Sequence, residues 1–189
     1  SSYSVTGVQT CALPISEACA KAIGANAKAV ACDLMKDRTS ETVKTEDGKS
    51  DVKWTDNPGL TLVENIVKEH GKLDILITNF DEFEQGRVDK IDDELYNKIR
   101  DANIWPTFHL LAAVREQFSK QTKTTGTYAK VVMMTNMVGK AGMSLGSIYA
   151  AFKASIIGLT KGLAREFGRF ANVNRSEERR VGKECRSRW

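Results

Sequence analysis

Tyr149 and Lys153 stand four residues apart in the stretch Tyr-Ala-Ala-Phe-Lys. On a helix that spacing puts both side chains on one face. A lysine ammonium beside a phenol favours the phenolate and lowers the tyrosine pKa. The phenol then becomes a proton donor and acceptor usable nearer neutral pH. Taken alone the pattern is weak, because Tyr and Lys at this spacing usually decorate a helix surface. Two asparagines keep it company. Asn103 falls just before Pro106, where a long helix should bend, and Asn79 ends the apolar run that begins at Leu73. The remaining candidates have bland readings. His70, His109, Cys19 and Cys32 show no metal-ligand spacing, so no metal is expected. Gly139, Gly142 and Gly146 punctuate a loop that no Lys-Ser/Thr closes, so it is not a phosphate loop.

The elements that must position these residues alternate. Glu17 to Ala25 is Ala-rich with a helix stop at Gly24, and Lys28 to Cys32 is short, β-compatible and followed by Asp33. Residues 36–58 are polar and read as an exposed loop or insertion. Leu62, Val63, Ile66 and Val67 recur at helical spacing before Gly71. Leu73 to Ile77 is a nearly continuous apolar strand, of the kind covered on both faces in a parallel sheet. Asp92, Asp93 and Glu94 open an acidic first turn, and that helix runs past Pro106 to Phe118. Gln121 to Tyr128 reads as a polar turn, Val131 to Met134 as a strand, Ile148 to Phe167 as a helix, and residues 171–174 as the start of a strand. Helices alternating with strands predict an α/β fold, a doubly wound parallel sheet whose right-handed crossovers place helices on both faces.

The segment from Val131 to Asn174 carries an apolar strand, a glycine-containing loop, the Tyr149–Lys153 helix and then Leu159-Thr160-Lys161-Gly162-Leu163-Ala164-Arg165-Glu166. This order strongly resembles the short-chain dehydrogenase/reductase family. The likeness extends back through Asn103-Ile104-Trp105-Pro106-Thr107-Phe108 and Leu73 to Asn79, and covers most of residues 17–174. The resemblance implies a Rossmann-like sheet, a nicotinamide dinucleotide (NAD or NADP, not distinguished) and hydride transfer to or from a small-molecule carbonyl or alcohol. Tyr149 would be the general acid or base. Lys153 would lower its pKa and hydrogen-bond the nicotinamide ribose. Asn103 would hold a water in a proton relay, Asn79 would approach the cofactor through its backbone, and Asp33 would touch the adenosine end. A homodimer or homotetramer built on the Tyr149 helix and the one before it is also implied. Ala150, Ala154, Gly158 and Gly162 form a small-residue stripe there, open to the sheet or to a partner subunit.

Three departures from the family pattern matter. The serine usually found thirteen residues before the tyrosine is Asn136 here. An Asn amide can still donate to a developing oxyanion, but it is longer. A non-catalytic cofactor-binding or oligomerising relative is therefore the alternative reading. Thr135 should face the other side of its strand and be a poor stand-in. Thr78-Asn79-Phe80-Asp81 replaces the usual Asn-Asn-Ala-Gly, with Phe80 where the backbone runs close to the cofactor. The first strand with its Thr-Gly-x-x-x-Gly-x-Gly loop, and the C-terminal strands, are missing. The sheet is thus expected to be partial, and the 189-residue chain by itself to bind cofactor weakly and lack activity. Residues 17–33 fit two alignments. As first helix and second strand, Asp33 would grip the ribose 2′-hydroxyl and imply NAD. As second helix and third strand, it would sit by the adenine. The second is preferred, because 36–58 lacks a convincing helix and strand.

Both ends resemble translated sequencing adapters, Val5 to Ile15 (VTGVQTCALPI) and Arg175 to Trp189 (RSEERRVGKECRSRW). Residues 1–16 and 175–189 are therefore expected to be non-native, flanking a partial domain at 17–174. Thr6-Gly7 and the cysteines Cys11 and Cys185 fall with them. The ends also carry most of the charge. The whole chain is +4, and its last fifteen residues hold six basic and three acidic side chains, leaving 17–174 near neutral. No nucleic-acid or membrane partner is expected from that balance. No apolar run is long enough to span a bilayer. Two lone core thiols fit a reducing compartment, so a cytoplasmic location is expected.

Overall fold

The computed structural model describes residues 13–25, 27–34 and 39–178. The Thr6-Gly7 pair and Cys11 lie outside them. The first helix, α1, spans Leu13–Ile23 and ends before Gly24, which takes a φ of 100°. The expected strand at Lys28–Cys32 does not form. That segment lies along the next helix instead, with Lys28 Nζ 2.7 Å from Glu69 and the Cys32 thiol 3.7 Å from the Pro58 carbonyl. Val30, Cys32 and Leu34 pack on the core from there. A strand needs a neighbouring strand for its ladder, and this segment meets a helix.

Residues 36–58 are not simply a loop. They contain an antiparallel hairpin of β1 (Thr39–Lys44) and β2 (Ser50–Asp56), with Lys44 opposite Ser50. Gly48 supplies the turn with φ 77°, a conformation that favours glycine. Nearly every hairpin residue is exposed, so no apolar alternation marks it in the sequence.

Helix α2 spans Pro58–His70. Asn57 caps it by accepting from Gly59 N and Leu60 N, Pro58 starts it where no N–H is needed, and Gly71 (φ 78°) ends it. Strand β3 (Ile75–Thr78) follows, then a long connection and a single 3-10 turn at Val88–Lys90. The expected bent helix is two helices, α3 (Asp93–Asn103) and α4 (Trp105–Thr125), broken at Ile104. Pro106 sits at the start of α4, where its ring and missing N–H are tolerated. Gln121 belongs to α4 and not to a turn. Its buried amide accepts from Leu73 N at 3.0 Å and donates to Leu73 O at 3.2 Å, fixing the start of β3. Strand β4 (Ala129–Asn136), a short helix α5 (Val138–Ala141), helix α6 (Ser147–Glu166) and strand β5 (Ala171–Glu178) complete the order. β5 pairs with β4 along its whole length, through Asn136 opposite Glu178, and so includes the first residues of the adapter-like run.

The sheet β3-β4-β5 is parallel, with α4 and α6 as crossovers. Leu76, Thr78, Val131, Met133, Ala171 and Val173 form its buried face, and Val114, Phe118, Ile156 and Phe167 fill the space beneath. Burial of each Val, Leu, Ile, Phe or Met among them stabilises the fold by about 1.5–3 kcal/mol. The other face is open among the described residues, with Ile75 46% and Ile77 57% exposed. Among the described residues the crossover helices thus lie on one face, as in one half of a doubly wound α/β sheet. The reason is topological: three strands laid down in one direction with right-handed crossovers place every crossover on the same side.

Candidate active site

The site forms at the carboxyl ends of β3 and β4, where open parallel sheets place their ligand clefts. Tyr149 lies in the first turn of α6 and Lys153 one turn further, and both are buried. Lys153 Nζ lies 5.4 Å from the Tyr149 ring centre. A buried ammonium requires partners. Lys153 donates to the Phe80 carbonyl at 2.9 Å and pairs with Asp81 Oδ1 at 2.9 Å. The Tyr149 hydroxyl donates to that same Oδ1 at 2.8 Å. The two residues singled out by spacing therefore converge on one carboxylate oxygen that sequence reasoning left unassigned. Asp81 stands where the family pattern often carries glycine, and that swap was the available signal.

The segment after β3 is pinned on both sides of Asp81. Asn103, 1% exposed, donates from Nδ2 to Glu82 O and Ile99 O, each at 2.8 Å, and its Oδ1 accepts from Glu82 N at 3.4 Å. The α3–α4 break thus delivers an amide that clasps residue 82. Phe83 packs edge-on against Tyr149 with ring centres 5.0 Å apart. Gly86 N donates to Leu145 O at 2.7 Å, tying this segment over the approach to α6. Leu145 has φ 58°, a sterically costly value for a branched side chain.

Asn136 is buried at the end of β4, and its Oδ1 accepts from Val138 N at 3.1 Å, turning the chain into α5. The neighbouring Thr135 hydroxyl donates to Lys153 O at 2.9 Å, which holds α6 rather than any substrate. Gly139 is a second contact that the sequence did not reveal. A Cβ there would lie 2.7 Å from Lys153 C and 2.8 Å from Ala154 N, so only glycine lets α5 sit against α6 at the lysine. Asn79 is exposed just past β3. Asp33 is exposed on the segment along α2, where burial and, second, the Asp33 charge push the Cys32 thiol above its ordinary pKa. Among the described residues, no helix is long and apolar enough to cross a membrane, and no His, Cys, Asp and Glu side chains cluster as a metal site.

This site has counterparts. A family model described as short chain dehydrogenase matches residues 5–174. The 3-oxoacyl-[acyl-carrier-protein] reductase FabG of Salmonella typhimurium is 33% identical over 106 residues, covering 56% of this chain and 41% of that one. The short-chain dehydrogenase/reductase FrzI of a Cladobotryum species is 28% identical over 113 residues, covering 59% of this chain and 41% of that one. The chain thus spans well under half the length of these curated relatives in the matched region. Among solved structures, a 3-ketoacyl-(acyl-carrier-protein) reductase from Brucella melitensis complexed with NADH superimposes with TM-score 0.70 at 20% identity, over 86% of this chain and 59% of that one. A short chain dehydrogenase from Mycobacterium smegmatis gives TM-score 0.69 at 18% identity, over 93% and 64%. With the parallel sheet, the Tyr149–Lys153 helix at its carboxyl edge and a family match over most of its length, the chain belongs to the short-chain dehydrogenase family.

Proposed function

We propose that this chain is part of an oxidoreductase that interconverts a small-molecule carbonyl and alcohol, with Tyr149 as the proton donor and acceptor. The observation that carries this reading is the convergence of the buried Tyr149 hydroxyl and Lys153 ammonium at the carboxyl end of β3. The residues present fit a nicotinamide dinucleotide, since a buried lysine beside parallel strand ends can donate to a ribose hydroxyl. When bound, NAD or NADP supplies or accepts the hydride.

The chain's own residues handle the proton. In reduction the Tyr149 O–H bond breaks as the substrate oxygen gains charge, and in oxidation the phenolate takes the alcohol proton. Two features favour the phenolate, against the Asp81 carboxylate that accepts the phenol's hydrogen: the nearby Lys153 ammonium, and the N-terminus of the 20-residue helix α6, in whose first turn Tyr149 lies. Lys153 would also hold the nicotinamide ribose, Asn79 the cofactor through its backbone and Asp33 the adenosine end. Asn136 would offer its Nδ2 hydrogens to the substrate oxygen. Asn103 would serve the proton relay through a water while its amide holds residue 82. Assembly as a dimer or tetramer through α4 and α6, in the cytoplasm, belongs to the same reading. Its support is that Cβ atoms at Gly158 and Gly162 would meet nothing within 4 Å, and that Cys32 is a free thiol.

The test is absorbance at 340 nm with NADH or NADPH and a panel of ketones, on this chain extended by its adjoining coding sequence. Tyr149→Phe is expected to abolish turnover; equal rates in parent and variant would refute the assignment. One observation favours the second reading, a cofactor-binding relative without turnover. Asn136, in place of the shorter serine, is 7% exposed and its side chain is held against its own backbone at Val138 N. Cofactor binding without turnover would support it; no gain of activity on Asn136→Ser would count against the loss of serine as its cause.

A further inference from the structure

We propose that Asp81 is a positioning residue for the Tyr149–Lys153 pair, one that keeps the Tyr149 phenol protonated and aimed as a donor. The inference rests on reading Tyr149 as the proton-transfer group.

A Tyr–Lys pair alone leaves a full positive charge to draw the phenol toward phenolate. In this chain the Asp81 carboxylate intervenes. Its Oδ1 accepts the phenol's hydrogen at 2.8 Å and lies 2.9 Å from the ammonium. Three effects then act in one direction. Hydrogen bonding to the neutral phenol favours that form. A negative charge in direct contact opposes a second one. The carboxylate also neutralises the lysine that would stabilise the phenolate. Burial of Tyr149 and Lys153 limits screening by salt and water.

The carboxylate is built in rather than swung in. The Phe80 carbonyl before it is held by Lys153, and the Glu82 backbone after it is held by Asn103 through both N–H and C=O. Several charged groups on neighbouring elements pair away from it. Lys98 of α3 meets Glu82 and Glu84, Arg100 meets Asp101, Arg87 meets Asp89, and Lys140 of α5 meets Glu177 of β5. On α6 itself the facing charge is Lys153.

The experiment is an ultraviolet difference titration of tyrosine ionisation near 295 nm on the 189-residue chain, with no cofactor. The chain has four tyrosines, Tyr3, Tyr96, Tyr128 and Tyr149, and Tyr149→Phe assigns the signal. In the parent, Tyr149 is expected to ionise later than the exposed Tyr96 and Tyr128. Asp81→Asn keeps the shape and removes the charge, and should lower the Tyr149 midpoint by at least about one pH unit, the size of a contact-charge effect. Asp81→Glu should restore the late ionisation. Asp81→Gly, the residue more usual in the family, serves if circular dichroism shows Asp81→Asn to be unfolded, and the same downward shift is expected. A Tyr149 midpoint unmoved or raised in the folded variant overturns the proposal. The outcome is separable from the proposed activity. The shift in the 189-residue chain without turnover in the extended one keeps the hold of Asp81 on the Tyr149 phenol and loses its use in proton transfer, and turnover without the shift does the reverse.

Discussion

Replacing Gly139 by alanine tests how closely α5 is seated on α6. The added Cβ would meet Lys153 C at 2.7 Å, Ala154 N at 2.8 Å and Lys153 O at 2.9 Å. All three are backbone atoms of a helix, so no flexible side chain can give way. Relief requires α5 to move outward, opening the contact that backs Lys153. Overpacking of this kind costs about 1–3 kcal/mol. For a chain of this size about 2 kcal/mol corresponds to a melting temperature lower by roughly 4–8 °C. Gly158, on α6, is the internal control. A Cβ there meets nothing within 4 Å, and Gly→Ala in a helix interior gains about 0.5–1 kcal/mol. Thermal unfolding followed by circular dichroism at 222 nm should therefore move down for Gly139→Ala and up for Gly158→Ala. Gly139→Ala melting at or above the parent would refute the close seating of α5.

Further expectations follow from single contacts. Asn57→Ala removes the side chain that caps α2 through Gly59 N and Leu60 N, and should cost about 1–2 kcal/mol in denaturant unfolding; a loss below a few tenths would mean that the cap is redundant. The Cys32 thiol, raised above its ordinary pKa by burial and then by Asp33, should react with iodoacetamide more slowly in the folded chain than in the unfolded one, read by peptide mass mapping. The sign follows from the raised value. Folding favours the protonated thiol, and that preference contributes in full below the unfolded pKa and is lost as pH rises through the folded one. Equal alkylation rates in both states at neutral pH would contradict it.

What the sequence determined by itself is what local rules control. Asn57, Pro58 and Gly71 bound α2 because capping and φ constraints act over a few residues. Pro106 separated α3 from α4 because its ring cannot follow a helical turn. The spacing of Tyr149 and Lys153 put both on one helix face for the same reason. Only the tertiary structure decided matters that depend on contact across the chain. The hairpin at 39–56 has no apolar face, so periodicity could not find it, although Asp47-Gly48 between β-branched residues was a turn signal. The Lys28–Cys32 segment has the composition of a strand but lies along α2, because a ladder depends on what runs beside it. Gln121 looked like part of a turn, yet its amide pairs with Leu73 from 48 positions away. Asp81 is the sharpest case. Its type was plain in the sequence, but its meeting with Tyr149 and Lys153 comes from the return of the chain after β3 across the first turns of α6. No sequence period encodes that juxtaposition, because it is set by how the strand end, the Asn103 clasp and α6 pack together.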